Sequence, residues 1–429
     1  MYDQEKMQAW LDEIKDLCRD HPSWYAIFEK AYTNTLDEAV KKLDDGTTFV
    51  LTGDIPAMWL RDSTAQLKPY ILQAKEDPDL CRLIGGLVTR QMRYICHDPY
   101  ANSFNEAENW KGHHETDHSQ LSGWIWERKY ELDSLCYPLQ LAYLLWRETG
   151  YRYHLNDDFV EGVRKILATI KLEQDHRYST YRFTRDTDRQ EDTLAQDGFG
   201  PEFAATGMSW SAFRPSDDAC QYPYLIPANM FAVVVLDYMS LLFRDVKPCS
   251  DYLELASAAR DLAIQIRQGI EEHGLTRNVN GQTIYAYEVD GLGRKSIMDD
   301  PNVPSLLSAP YLGYLKADDP IYLATRATIL SDENPYFYEG ICASGLGSSH
   351  TWDRYIWPIA LAIEGLTSPD KAVKKDILDL LVSCDGGTGL MHESFHVDDP
   401  NRYTREWFSW ANMMFCELVL DYLDRRIPA

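Results

Sequence analysis

Apolar positions recur at helical spacing along most of the chain. Met7, Trp10, Leu11, Ile14, Leu17 and Cys18 fall three and four apart, and Trp24, Ile27, Phe28, Ala31 and Leu36 do the same in a run reaching Leu43. Further amphipathic runs cover 62–76, 78–97, 127–149, 157–173, 227–245, 250–273, 319–331, 352–367, 369–383 and 405–426. This predicts roughly twelve helices. Alternating patterns suited to strands are short: TTFVLTG at 47–53, RYSTYRFTR at 177–185 and TIYAYEVDG at 283–291.

The helices come as pairs separated by longer loops, among them 104–124, 192–224 and 298–314. Unstructured loops beyond about 12–15 residues are mostly functional or disordered. These are rich in Trp, Tyr, Pro and Gly, a composition for shaped, packed loops. No strict repeat and no low-complexity linker interrupts the pattern. The expected fold is all-α, a single (α/α)6 barrel over 1–429, with short strands in loops on one face around a central pocket. A helical solenoid is the other architecture such pairs can build.

Charge narrows the partners. The 429 residues carry a formal charge of −25, which repels phosphate backbones and anionic membrane surfaces. Neither nucleic acid nor membrane is expected as a partner, and no apolar run reaches the roughly 20 residues of a membrane span. The start of the chain has no basic, apolar leader pattern. Nine cysteines, widely spaced and without a CxxC pair, sit mostly in apolar helical runs. They are expected to be reduced, buried thiols in a cytoplasmic protein. Twelve Trp and 27 Tyr suit both large helical cores and surfaces that stack on sugars.

Candidate chemistry lies in the loops. TGDIPAMWLRDSTAQ (52–66) sets Asp54, Trp59, Arg61 and Asp62 around a helix start. That is either a helix cap with a surface ion pair or a loop fixed over a site. In FRPSDDACQYPYLIPANM (213–230), Asp217 and Asp218 are adjacent, and near Trp210, Tyr222 and Tyr224 one of them can keep a proton and serve as general acid. An Asx turn is the plainer alternative. Glu393, between His392 and His396, can act as general base on water, or simply pair with a neighbour such as Arg402. Two carboxyl groups remote in sequence, each in an aromatic loop, fit glycoside hydrolysis. GHHETDH (112–118) is not an HExxH site, and the adjacent His113 and His114 point apart, so hydrogen bonding is expected and no metal. SSHTWDRYIWP offers His350 and Trp352 as polar group and sugar platform, and Asp299-Asp300 is either a cap or a hydroxyl clamp.

Five stretches together resemble glycoside hydrolase family 125, bacterial exo-acting α-1,6-mannosidases: TGDIPAMWLRDS (52–63), GMSWSAFRPSDDACQYPYLIPANMF (207–231), IMDDPNVPSLL (297–307), SSHTWDRYIWP (348–358) and MHESFH (391–396). They run from near the start to near the end, with no evident departure from the pattern. The resemblance implies an (α/α)6 fold, removal of terminal α-1,6-linked mannose with inversion, and no metal or cofactor. It places the acid in the Asp217-Asp218 pair, with Asp218 favoured, and the base at Glu393. It implies a mannose pocket lined by Asp54, Met58, Trp59, Leu60, Arg61 and Asp62, where Asp54 and Arg61 either hold hydroxyls or support the loop from behind, with His113, His114, Asp217, Tyr222, Asp299, His350 and Trp352 as further substrate contacts; a monomer is expected. Two other readings stand beside it. A sugar epimerase or lyase on the same barrel would draw on His113, His114, His350 and His392, and a non-catalytic sugar-binding protein would not need both Asp218 and Glu393.

Overall fold

The computed structural model describes residues 2–246 and 250–427. Two rings of helices account for most of them. The inner ring comprises Leu60–Leu67, Leu132–Thr149, Ile226–Val246, Ala309–Leu312, Pro358–Leu366 and Ser409–Tyr422. The outer ring comprises Pro22–Asn34, Pro78–His97, Asp157–Leu172, Ser250–His273, Pro320–Ile329 and Lys371–Ser383. Inner helices are buried nearly all round, as Leu60–Leu67 is at every position. Outer helices bury one stripe: Phe159, Val163, Ile166, Leu167 and Ile170 face inward from Asp157–Leu172. Leu60–Leu67 packs between Leu132–Thr149 and Ser409–Tyr422, which closes the ring between the two ends of the chain. The chain is an all-α (α/α)6 barrel.

The connections alternate in length. Turns from inner to outer helices are short, such as 75–77 and 367–370, whereas every outer-to-inner connection is long. All six inner helices therefore start at one end of the barrel, where the long loops gather. Three-stranded sheets stitch those loops together. Met58–Trp59 pairs with Ser103–Phe104, which pairs with Ile125–Glu127. Tyr224–Leu225 pairs with Glu288–Val289, and Tyr355–Ile356 with Ser394–His396. Each of these opening strands runs directly into an inner helix, so the rim is fixed to the helix starts.

Some boundaries move for local reasons. The run expected at 62–76 is cut by a 3-10 turn over Lys68–Tyr70, where Pro69 cannot donate. The run at 352–367 begins only at Pro358, a favoured first helical residue. The tail of 24–43 leaves the helix, and Val40–Lys42 pairs with Thr48–Val50 as a hairpin. The strand expected at 177–185 shrinks to Thr184–Arg185. Loop 298–314 holds the fourth inner helix, a single turn between Ser308 and Gly313.

Ile226–Val246 is long and apolar enough to cross a membrane, but 83% of that window is buried inside the barrel. Its apolar surface is already satisfied by protein. Six cysteines are buried, Cys96 is half-buried, and Cys249 lies outside the described residues. Cys342 departs from the expectation of burial: it is exposed, with its Sγ 3.3 Å from the Asp398 carbonyl.

Candidate active site

The helix start at Leu60 carries neither a side-chain cap nor a surface ion pair. Trp59 occupies the cap position without a capping hydrogen bond, and Arg61 and Asp62 are only 2% and 3% exposed. Arg61 is a buried hub. Its Nη1 donates to Glu131 (2.6 Å) and Asp133 (3.2 Å), its Nε lies 3.4 Å from Asp62, and its Nη2 lies 3.8 Å from Asp217. Burial works against its charge, yet the surrounding carboxylates hold it firmly protonated. Burial in turn pushes Asp62 up to about 6, with Arg61 offsetting part of that rise. Arg61 thus supports the floor of the site from behind through the Nη1 bonds to Glu131 and Asp133, while its Nε and Nη2 face Asp62 and Asp217 at ion-pair distance without a hydrogen bond.

Asp217 and Asp218 sit on that floor and diverge. Asp217 takes left-handed backbone, φ 66°, a conformation Asp tolerates better than most residues. The kink turns adjacent side chains toward different partners. Asp217 is half-buried and accepts from Asn102 Nδ2 at 3.2 Å, and its own carbonyl accepts from Lys129 Nζ at 2.7 Å. Asp218 is fully buried, accepting from Ser349 Oγ at 2.5 Å and His350 Nδ1 at 3.1 Å.

Both aspartates are held below the usual carboxylate range. Burial would raise each one. For Asp217, Glu131, Lys129 and Arg61 outweigh it, and for Asp218, His350 and Ser349 do. This corrects the expectation that apolar neighbours keep one of them protonated. Trp210 stacks on His176 at 3.8 Å in the core. Tyr222 packs against the Arg294 guanidinium, 5.4 Å away, and Tyr224 donates to the Gln174 carbonyl. The proton sits instead on His350, which burial would lower but which Asp218, Glu393 and Asp217 lift to about 9. His350 feels all three carboxylates, so the remote loops do converge.

Glu393 is 8% exposed and has Arg405 Nη1 3.5 Å from its Oε1. The same guanidinium donates to Asp54 through Nε at 2.9 Å and Nη2 at 2.5 Å. Asp54 is therefore a brace for Arg405. Arg405 also takes left-handed backbone, φ 40°; strain of this kind gathers at functional sites. Gly53 crosses directly over the Trp407 carbonyl, where any side chain would collide, and its own φ is 115°. That crossing fixes the 52–59 loop against the loop carrying Arg405.

Other expected contacts divide. Met58 and Leu60 are wholly buried in the hydrophobic core, because strand 58–59 and the helix start turn them away from the rim; they are packing residues. Asp299 is also fully buried, with both oxygens accepting backbone N–H groups of Leu306 and Leu307 at 2.8 and 2.9 Å. It is a loop cap rather than a hydroxyl clamp. Its neighbour Asp300 accepts from Ser216 Oγ (2.8 Å) and Ser348 Oγ (3.4 Å), tying the Asp218 loop to the His350 loop. His114 Nε2 lies 3.1 and 2.9 Å from the Lys111 and Ile125 carbonyls, so it staples its own loop. His113 is exposed, 4.0 Å from Glu127. Trp59 is 6% exposed, and Trp352 is 66% exposed two residues beyond His350. Among the described residues no group of three or more His, Cys, Asp and Glu is placed to hold a metal.

Sequence reasoning missed Arg405, Ser349, Lys129, Asn102 and Glu131. Ser349 and Arg405 were within or beside the stretches singled out, and a buried carboxylate's need for a donor is the signal that finds them. Asn102 lies in a stretch with no pattern and Lys129 in a run read only as helix, and only the fold brings them to Asp217.

The described geometry is that of a site with two buried acids, a shared imidazolium and a guanidinium brace. A family model described as metal-independent alpha-mannosidase (GH125) matches residues 21–420. A solved Streptococcus pneumoniae protein of the metal-independent alpha mannosidases, in a non-productive substrate complex with alpha-1,6-mannobiose, is 65% identical over 99% of this chain and 100% of its own, with a TM-score of 0.98. The meiotically up-regulated gene 157 protein of Schizosaccharomyces pombe is 37% identical over 98% of this chain and 86% of its own length. A bacterial glucoamylase complexed with acarbose shares the fold at 14% identity and a TM-score of 0.56, covering 86% of this chain and 49% of its own.

Proposed function

The chain belongs to glycoside hydrolase family 125 and is an α-mannosidase; on that premise we propose that it is exo-acting, removes terminal α-1,6-linked mannose, and inverts the anomeric centre. The observation that supports the mechanism is that Asp218 and Glu393, remote in sequence, both act on His350, Asp218 by a direct hydrogen bond and Glu393 by its charge. The α-1,6 linkage is supported by the mannobiose bound to the Streptococcus pneumoniae relative.

Asp218 acts as general acid, drawing on the one proton its pair with His350 holds below about pH 9. His350 Nδ1 gives that proton to Asp218, and Asp218 gives it to the glycosidic oxygen as the bond to the anomeric carbon breaks. Glu393, its orientation fixed by Arg405, takes a proton from the water that attacks the opposite face. Exchange with solvent returns the proton to His350. The helix starts beneath the floor carry partial positive charge and tolerate this density of acids. Asp62 and Trp59 offer a polar and an apolar wall for the terminal sugar.

A reading as epimerase needs paired histidines, and the structure does not pair them. His114 is a loop staple, and His392 lies between the Glu406 and Asp385 carbonyls, stacked on Tyr403 at 3.7 Å. We further propose that the protein works in the cytoplasm as a monomer, supported by its mostly buried thiols and strongly acidic composition. The linkage claim is tested by incubating the protein with α-1,2-, α-1,3-, α-1,4- and α-1,6-mannobiose. Mannose release from the α-1,6 isomer alone is expected, and faster release from any other isomer refutes it.

A further inference from the structure

A cation stands at the mouth of the site beside the proposed acid. Arg189 is 44% exposed where Asp218 is fully buried. Its Nη2 donates to the Ser349 carbonyl at 3.1 Å and lies 3.7 Å from Asp218 Oδ1. The side chain is held rather than free. Its Nε is 3.8 Å from Asp192, Asp192 accepts from Lys129 Nζ at 3.3 Å, and the Glu191 carbonyl accepts from the Ala219 N–H at 2.7 Å. The loop carrying Arg189 is therefore bolted to the residue that follows Asp218.

A guanidinium has five N–H donors, and among the described residues this side chain makes one hydrogen bond, using one of them. A glycosidic oxygen being protonated must come within about 2.6–3.2 Å of an Asp218 oxygen. In an exo-acting site the terminal sugar enters first, which leaves the departing sugar on the solvent side of that oxygen. A fixed donor 3.7 Å from the same carboxylate oxygen, on its solvent side, reaches the first hydroxyls of the departing sugar. We propose that Arg189 binds the leaving sugar and sets the protein's preference for glycosidic over non-sugar leaving groups. The inference rests on the α-mannosidase reading with Asp218 as acid.

Two substrates separate this role from a structural one. α-1,6-Mannobiose has a leaving sugar and α-mannosyl fluoride has none. Arg189→Gln is expected to lower kcat/KM on mannobiose about 10- to 100-fold, the scale of lost hydrogen bonds to a charged group, while fluoride turnover stays within about twofold. Retained fluoride turnover also shows that the variant folds. Arg189→Lys keeps the charge without the fork and is expected to fall between. Equal losses on both substrates, or no loss on mannobiose, overturn the assignment and leave the α-mannosidase reading intact. Absence of wild-type turnover of the fluoride and of mannobiose overturns that reading, and the assignment with it.

Discussion

Replacing Arg61 by Met removes the guanidinium bonded to Glu131 and Asp133 and set beside Asp62 and Asp217. Arg61, Asp62, Glu131 and Asp133 are all 3% exposed or less, so solvent does not take over the lost partner. Breaking a buried ion pair by removing one member costs about 3–5 kcal/mol. With an unfolding entropy of about 2.1 cal/mol/K per residue, a chain of this size unfolds with roughly 0.9 kcal/mol/K, so Tm falls by about 3–6 °C. The loss has a definite pH dependence. Asp62 is raised to about 6 in the fold against about 3.9 unfolded. The fold therefore binds more protons in that window, and stability drops as pH rises through it. Without Arg61 the acids move higher still, and the drop extends upward in pH. Calorimetry of wild type and Arg61→Met at pH 5 and pH 7.5 should show the larger difference at pH 7.5. A loss below about 1 kcal/mol, or equal losses at the two pH values, would refute the hub.

Asp218→Asn and Glu393→Gln should each reduce kcat by about 10²-fold or more with Tm nearly unchanged; turnover near wild type in either variant removes that residue from its role. His350 is raised to about 9 and Asp218 is lowered. The stability their pair adds is fully present below about 6.5 on the histidine side and fades toward 9, and in acid it fades as Asp218 protonates. The basic limb of kcat/KM should therefore fall near pH 9, and His350→Gln should move it down by more than about one unit; an unmoved limb shows that His350 does not hold the proton. Trp352, mostly exposed, should tolerate Ala within about 0.5 kcal/mol of stability while KM for mannobiose rises, and an unchanged KM removes it from the substrate platform.

The barrel was legible because long amphipathic runs carry a 3.6-residue period that no short-range effect disguises. The fourth inner helix was not, since a single turn between Ser308 and Gly313 contains less than two periods. Of the candidate site, the acids were legible as residue types in aromatic loops, but their protonation was not. Trp210 and Tyr222 flank Asp218 in sequence, while Ser349 and His350, more than a hundred residues away, set its charge. The family resemblance puts Met58 and Leu60 in the pocket lining beside Trp59, whereas the structure turns both into the core. The strand pairing of 58–59 with 103–104, which decides what faces the core, leaves no mark within the 52–66 stretch.

The central claim is that Asp218 protonates the leaving oxygen while Glu393 activates a water on the far side of the ring. Proton NMR of the first mannose released from α-1,6-mannobiose, recorded before mutarotation, tests it most directly. The β-anomer should appear first and equilibrate toward α; initial release of α-mannose would mean retention, and would contradict the account.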